Sequence, residues 1–294
     1  MASTQCADDH YNFTWWSVTL ANLYSAWNAT NAQFTHVPLR DSPASRDDEV
    51  LAQAGVRCTK YEGTGAGLDA VQMIDAAAQY TLALKSLADN RTPILAPWPI
   101  ARAIAEHVAY AAWLLEPGIS ADARMARRWM ARLAAAHRYR WMVSARNASR
   151  PEQREAKKVR DQIRRDLLQR FPDAETEWDD PTEHPHPPWT IAGEVFPTLG
   201  HQCRLIEKLG VDSLSGVYDV LSFLAHPNSL ALTMQIDRQD NGDHTTVTYR
   251  ANPEHWNSAM RLASMLLYVV GSTACSYYAV ETQLLDEWYD SFEP

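Results

Sequence analysis

In the run VYDVLSFLAHPNSLAL (217–232), Tyr218, Ser222 and His226 recur at every fourth residue. In a helix of 3.6 residues per turn, positions i, i+4 and i+8 form one stripe, so a phenol, a hydroxyl and an imidazole address the same neighbour. His226 is the natural general base of the set, because an imidazole titrates near neutrality. Ser222 is a weaker nucleophile candidate, since no strained turn activates it. Asn228, just past the end of the helix, adds an amide. The complementary polar surface is expected in PWPIARAIAEHVAYAAWLLEPG (97–118), where Arg102 and Glu106 stand at i, i+4 among apolar residues. Burying such a pair costs several kcal/mol per ion unless its remaining donors and acceptors are met. The Tyr218 stripe is the expected partner. Glu106 then orients His226 or acts as the acid, Arg102 binds a carboxylate or phosphate, and His107 and Asn228 complete the ligand contacts. The same groups can equally serve only to fix helix register.

Most long segments show helical periodicity, and the class is all-α. Helices are expected at about 11–31, 66–89, 98–116, 121–147, 152–170, 198–209, 213–226 and 253–285. Their ends are marked by Pro99, Pro117-Gly118, the capping residues Ser120 and Asp122, and Asn252-Pro253-Glu254. Residues 172–189 (PDAETEWDDPTEHPHPPW) are too rich in proline for a helix and predict a long surface loop. Residues 232–250 alternate around Asp240-Asn241-Gly242-Asp243 and predict a β-hairpin. The expected architecture is an antiparallel helical bundle with one small β-hairpin between the last two helices. Residues 1–95 form an extension packed on a bundle of 96–294, which includes a basic helical hairpin at 121–170.

A chain of 294 residues with 46% hydrophobic content can bury a large core. Its formal charge of −9 opposes long-range attraction to polyanions. That charge is segregated, however: of the 27 basic residues, 15 lie between Arg124 and Arg170, beside four acidic ones. Arg124, Arg128 and Arg132 repeat at i, i+4, i+8 with Trp129 and Trp141 among them, so they are candidate phosphate contacts through which nucleic acid could bind. The competing reading is a solvated hairpin whose arginines pair with the chain's excess acid. Cys6, Cys58, Cys203 and Cys275 are widely spaced and signal neither a zinc site nor a disulfide scaffold. No signal peptide is recognisable at the start, and a cytoplasmic location is expected. The uncharged stretch 262–280 is long enough to span a membrane, but its serines and glycine favour a central bundle helix, so no membrane partner is expected.

The segments RAIAEHVAYAAWLLEP and VYDVLSFLAHPN resemble the patterns of HEPN-like helical-bundle families, in which one helix supplies Arg and Glu and a later one a Tyr-x3-Ser-x3-His run. The resemblance covers roughly residues 97–285. It implies a helical bundle, a homodimer as one assembly, and relatives that include metal-independent RNases of toxin and antiviral systems. Their signature is Arg, four to six residues, then His. No arginine stands at that spacing before His226. Matches occur at Arg102/His107, Arg132/His137, Arg238/His244 and Arg250/His255, where chance alone supplies roughly two. The residues Glu183, His184 and His186 sit among prolines and read as a rigid loop, and Asp179-Asp180-Pro181-Thr182-Glu183 lacks the helix that would aim it at magnesium. Gly63, Gly65 and Gly67 read as a hinge. Neither a metal nor a cofactor is expected. The first functional expectation is binding or transformation of a small polar, anionic molecule in a buried polar pocket by metal-independent acid–base chemistry. The alternatives are an HEPN-like RNA-binding or RNase effector of a defence or stress system, and a noncatalytic interaction protein.

Overall fold

The computed structural model describes residues 11–35, 37–53, 62–91, 97–178, 187–209, 216–225, 230, 233, 236–249 and 252–292. The fold is all-α. Its helices are α1 (Phe13–Asn31), α2 (Pro43–Gln53), α3 (Glu62–Asp89), α4 (Pro97–Leu114), α5 (Ala121–Ala145), α6 (Arg150–Arg170), α7 (Leu199–Glu207), α8 (Val217–Ala225), α9 (Pro253–Tyr278) and α10 (Gln283–Asp290). Two antiparallel strand pairs accompany them: β1 (Thr190–Ile191) with β2 (Glu194–Val195), and β3 (Ile236–Asp240) with β4 (Thr245–Tyr249). The second pair is the expected hairpin. Asp240 pairs with Thr245 across a turn in which Gly242 has a φ of 89°.

Several boundaries follow from local chemistry. The Ser120 hydroxyl accepts from the Ala123 amide at 3.1 Å and starts α5, with Asp122 in the first turn. The Asn252 side chain accepts from the amides of Glu254 and His255 ahead of Pro253, which starts α9.

Three elements differ from the sequence expectation. Residues 253–285 are not one helix. Ala279 adopts a left-handed φ of 57° and the Val280 amide returns to the Cys275 carbonyl at 2.9 Å, which closes α9 without glycine or proline. The break lets α10 fold back: Leu285 and Trp288 become buried, the Trp288 indole donates to the Thr19 carbonyl, and the Tyr268 hydroxyl donates to Asp286. Helix α2 was not expected, because its sequence is polar and buries only Ala44 and Leu51. Gly63, Gly65 and Gly67 lie inside the first turns of α3 rather than in a hinge.

By its contacts the chain divides into two units, one of residues 1–35, 70–112 and 199–294 and one of 36–69 and 113–198. The division falls inside α3 and α4 and cuts across the boundary expected at residue 95. In the first unit α9 packs against α1, α7 and α10, around a core that includes Trp16, Trp27, Trp256, Leu267 and Tyr278. Helix α9 is long and apolar enough, by length and composition, to cross a membrane, and 61% of its most apolar window is buried within the protein. In the second unit α5 and α6 form an antiparallel hairpin that buries Met130, Leu133, Val143 and Leu167 together with Trp178 and Trp189 from the following segment.

Candidate functional site

The face of α4 that carries Arg102 meets α8, as the sequence pattern requires. Arg102 Nε donates to Glu106 Oε1 at 2.8 Å, and the guanidinium carbon lies 5.7 Å from the centroid of the Tyr218 ring. Such a contact binds cation to ring face by its quadrupole. The Tyr218 ring also lies close to α7, where a Cβ added to Gly200 would stand 3.6 Å from it. The cluster is half-buried rather than enclosed: the Arg102 side chain is 18% exposed and that of Glu106 36%. The expected desolvation cost is correspondingly smaller, because water still reaches both ions. Ser222 is half-buried one turn beyond Tyr218. His226 and Asn228 lie outside the described residues.

His107 does not join this cluster. Its Nδ1 lies 2.7 Å from the Ala103 carbonyl, to which it donates, and its ring packs on Tyr80 at 5.4 Å between centroids. In its place the structure offers His255. Trp98, Arg102 and Glu106 share one face of α4 at i, i+4, i+8, and the His255 ring packs edge-on against Trp98 at 6.3 Å. His255 Nδ1 is buried and makes no hydrogen bond. In the sequence His255 carried only a chance-level Arg-to-His spacing, and no pattern linked it to Trp98.

Of the candidate phosphate contacts, Arg124 and Arg128 are corrected. Arg124 is 4% exposed, pairs with Asp47 at 2.8 Å, and donates to the carbonyls of Leu114 and Glu116. Arg128 pairs with Asp69 at 2.9 Å. Gly65, one turn before Asp69 on α3, makes that pair accessible: a Cβ there would collide with the Arg128 guanidinium. Between them in sequence, Arg127 pairs with Glu116 at 2.7 Å and Glu194 at 2.6 Å and donates to the Trp113 carbonyl at 2.6 Å. The carbonyls of Trp113 and Leu114 belong to the last turn of α4, where helical acceptors have no intrahelical donor. Arg124 and Arg127 therefore cap the end of α4, and together with Arg128 they neutralise four carboxylates, so the three are structural ions rather than phosphate contacts. Near the start of α5 the hairpin's arginines pair with acid in a largely buried setting, whereas pairs such as Arg146–Glu152 and Arg164–Glu177 are solvated. Arg132 remains exposed, with its guanidinium 5.3 Å from the Trp129 ring.

Comparison with family models, curated proteins and solved structures finds no match.

Elsewhere in the second unit His137 is 7% exposed, with Trp178 and Trp189 each 5.7 Å from its ring. Burial, followed by the charges of Arg160, Arg140 and Arg164, lowers its pKa to about 4, against a smaller opposing effect of Asp161. The imidazole is therefore neutral near pH 7, and its buried Nε2 has no hydrogen-bond partner. Among the described residues no group of three or more His, Cys, Asp and Glu is placed to hold a metal ion. Glu183, His184 and His186 lie outside the described residues, as do Asp179 and Asp180.

Proposed function

We propose that the protein binds a small polar anion against the Arg102 face of α4 and transforms it by metal-independent acid–base chemistry. The observation that supports this reading is the fixed guanidinium: Glu106 holds its Nε edge while the Tyr218 ring supports its plane. A guanidinium held in one orientation recognises the planar oxygens of a carboxylate or phosphate better than a mobile ammonium does. In this reading His226, on the Tyr218 stripe by sequence spacing, is the general base, and Ser222 hydrogen-bonds the ligand between them.

Calorimetric titration of the full chain with inorganic phosphate, small dicarboxylates and nucleoside monophosphates tests the proposal. At least one class should bind wild type, and Arg102→Lys, which keeps the charge but loses the fork, should weaken that binding at least several-fold. His226→Ala should retain binding and lose turnover of the bound class. Binding that Arg102→Lys leaves intact, or no binding by any of these anions, sinks the proposal.

A further inference from the structure

We infer that the outer end of the α5–α6 hairpin is a docking surface for single-stranded nucleic acid. The arginines of this hairpin fall into two populations. Near the start of α5 they are consumed by Asp47, Asp69, Glu116 and Glu194. Around the turn at 146–149 the situation reverses: Arg150, Arg154 and Lys157 are exposed and, among the described residues, have no ion-pair partner. The acids nearby are few. Glu152 is taken by Arg146, Glu155 stands 4.0 Å from Lys158, and Asp161, one turn beyond Lys157 and within reach of its charge, is paired with Arg160.

Large apolar side chains occupy the same end. Tyr139 is 43% exposed, Trp141 46% and Met142 44%. Counted from the turn, Trp141 on α5 is level with Arg154 on α6, and Arg138 with Lys157. Val143 and Ala156 are buried at this level, so the two helices are held together beneath the exposed groups. An indole at a water-exposed site amid unpaired cations matches a ligand with both stackable faces and a phosphate backbone. From Arg150 to Lys158 the helix rises about 12 Å. A stacked strand carries one phosphate per about 3.4 Å, so roughly three to four phosphates fit that length.

Other polyanions fit less well. A duplex satisfies the cations but leaves Trp141 without a base face, because its bases are already stacked. An anionic membrane requires an apolar strip, and the exposed face of α6 carries only Val159 among large apolar side chains.

The experiment is fluorescence anisotropy of short unstructured oligo(dT) and oligo(U) with the full chain over a range of KCl, beside a duplex of equal length and vesicles containing phosphatidylglycerol. Wild type should bind the single strands more tightly than the duplex, with a slope of log K against log [KCl] of about −2 to −3 for three to four phosphates. Trp141→Ala should weaken binding between about 5- and 150-fold with the slope unchanged, since stacking does not release counterions. The triple variant R150Q/R154Q/K157Q should flatten the slope by about 2 units. These side chains are exposed, and an unchanged melting temperature would confirm that each variant folds. Tighter binding of oligo(U) than oligo(dT) would assign the ligand to RNA, and the reverse to DNA. The inference is overturned by a full slope in the triple variant, by equal duplex binding that is insensitive to Trp141→Ala, or by vesicle binding without oligonucleotide binding.

Discussion

Replacing Arg127 by alanine should be among the most destabilising single substitutions in the second unit. Its side chain is 8% exposed, and its partners Glu116 and Glu194 are 22% and 21% exposed. Removal leaves two carboxylates facing one another without a cation and withdraws a donor from the Trp113 carbonyl. Breaking a buried pair by deleting one partner costs about 3–5 kcal/mol. The lower part of that range applies to the ions, because water can reach carboxylates that are a fifth exposed. Loss of the guanidinium 5.7 Å from the Trp113 ring adds roughly 0.5–1 kcal/mol. The expected total is about 3–4 kcal/mol. Hydrogen exchange at α5 amides, beside urea denaturation, would measure it in the unit concerned. The charge argument also requires that R127M/E116Q/E194Q recover most of the loss, since no uncompensated ion then remains. A loss below about 1 kcal/mol in Arg127→Ala, or a triple variant as unstable as the single one, would refute it.

Other consequences can be measured independently. Gly65→Ala gains about 1 kcal/mol of helix propensity but displaces the Arg128 guanidinium from Asp69. It should therefore destabilise wild type and stabilise an Asp69→Asn background, and a denaturation double-mutant cycle showing the same sign in both would contradict the pairing. His137 titrates near 4 when folded and near 6.5 when unfolded, so the unfolded chain takes up the proton first as pH falls. Its contribution is fully present above about pH 6.5 and is lost toward pH 4 at up to about 1.4 kcal/mol per pH unit. Stability measured across that window should flatten in His137→Phe, and unchanged slopes would reject the assignment. Burial, with Asp286 adding, pushes the Cys275 thiol up to about 12. A thiol reagent at mildly alkaline pH should label Cys275 only on unfolding, and rapid labelling of the native protein would show otherwise.

Legibility in the sequence tracked how local the determining interaction is. The starts of α5 and α9 were readable because Ser120 and Asn252 act within one turn. The β3–β4 hairpin was readable because its turn residues are contiguous. The end of α9 was not, since Ala279 adopts a left-handed conformation for the sake of burying Leu285 and Trp288, a tertiary gain that no neighbouring residue announces. Helix α2 was missed for the same reason: its Asp47 and Asp48 pair with Arg124 and Thr64, both distant in sequence. At the candidate site the Arg102–Tyr218 contact was legible because each helix carried an unmatched polar stripe. His255 was not, because it joins through the ring of Trp98.

The charge-rich hairpin shows why counting residues misplaces a functional surface. The triad Arg124, Arg128 and Arg132 has the regular spacing expected of a phosphate-contacting face, yet Arg124 is a buried ion and Arg128 a half-buried one, each paired with an acid. Regular spacing along a helix face is what packing against a neighbour also demands, so the regularity argued for burial as strongly as for ligand contact. The acids that meet Arg124, Arg127 and Arg128 arrive from 47, 69, 116 and 194, segments that reach the start of α5 and are paired there. Arg170, at the same end of the hairpin, is taken by Asp122. Towards the turn such partners run out, and Arg150, Arg154 and Lys157 keep their charge facing solvent. Within the hairpin, the long-range attraction of a polyanion comes from this unneutralised remainder, because a paired guanidinium can still hydrogen-bond a small ligand in direct contact but adds little field at a distance. The surface available to a polyanion is therefore set by where the acids are absent, and the exposed indole of Trp141 lies at that end.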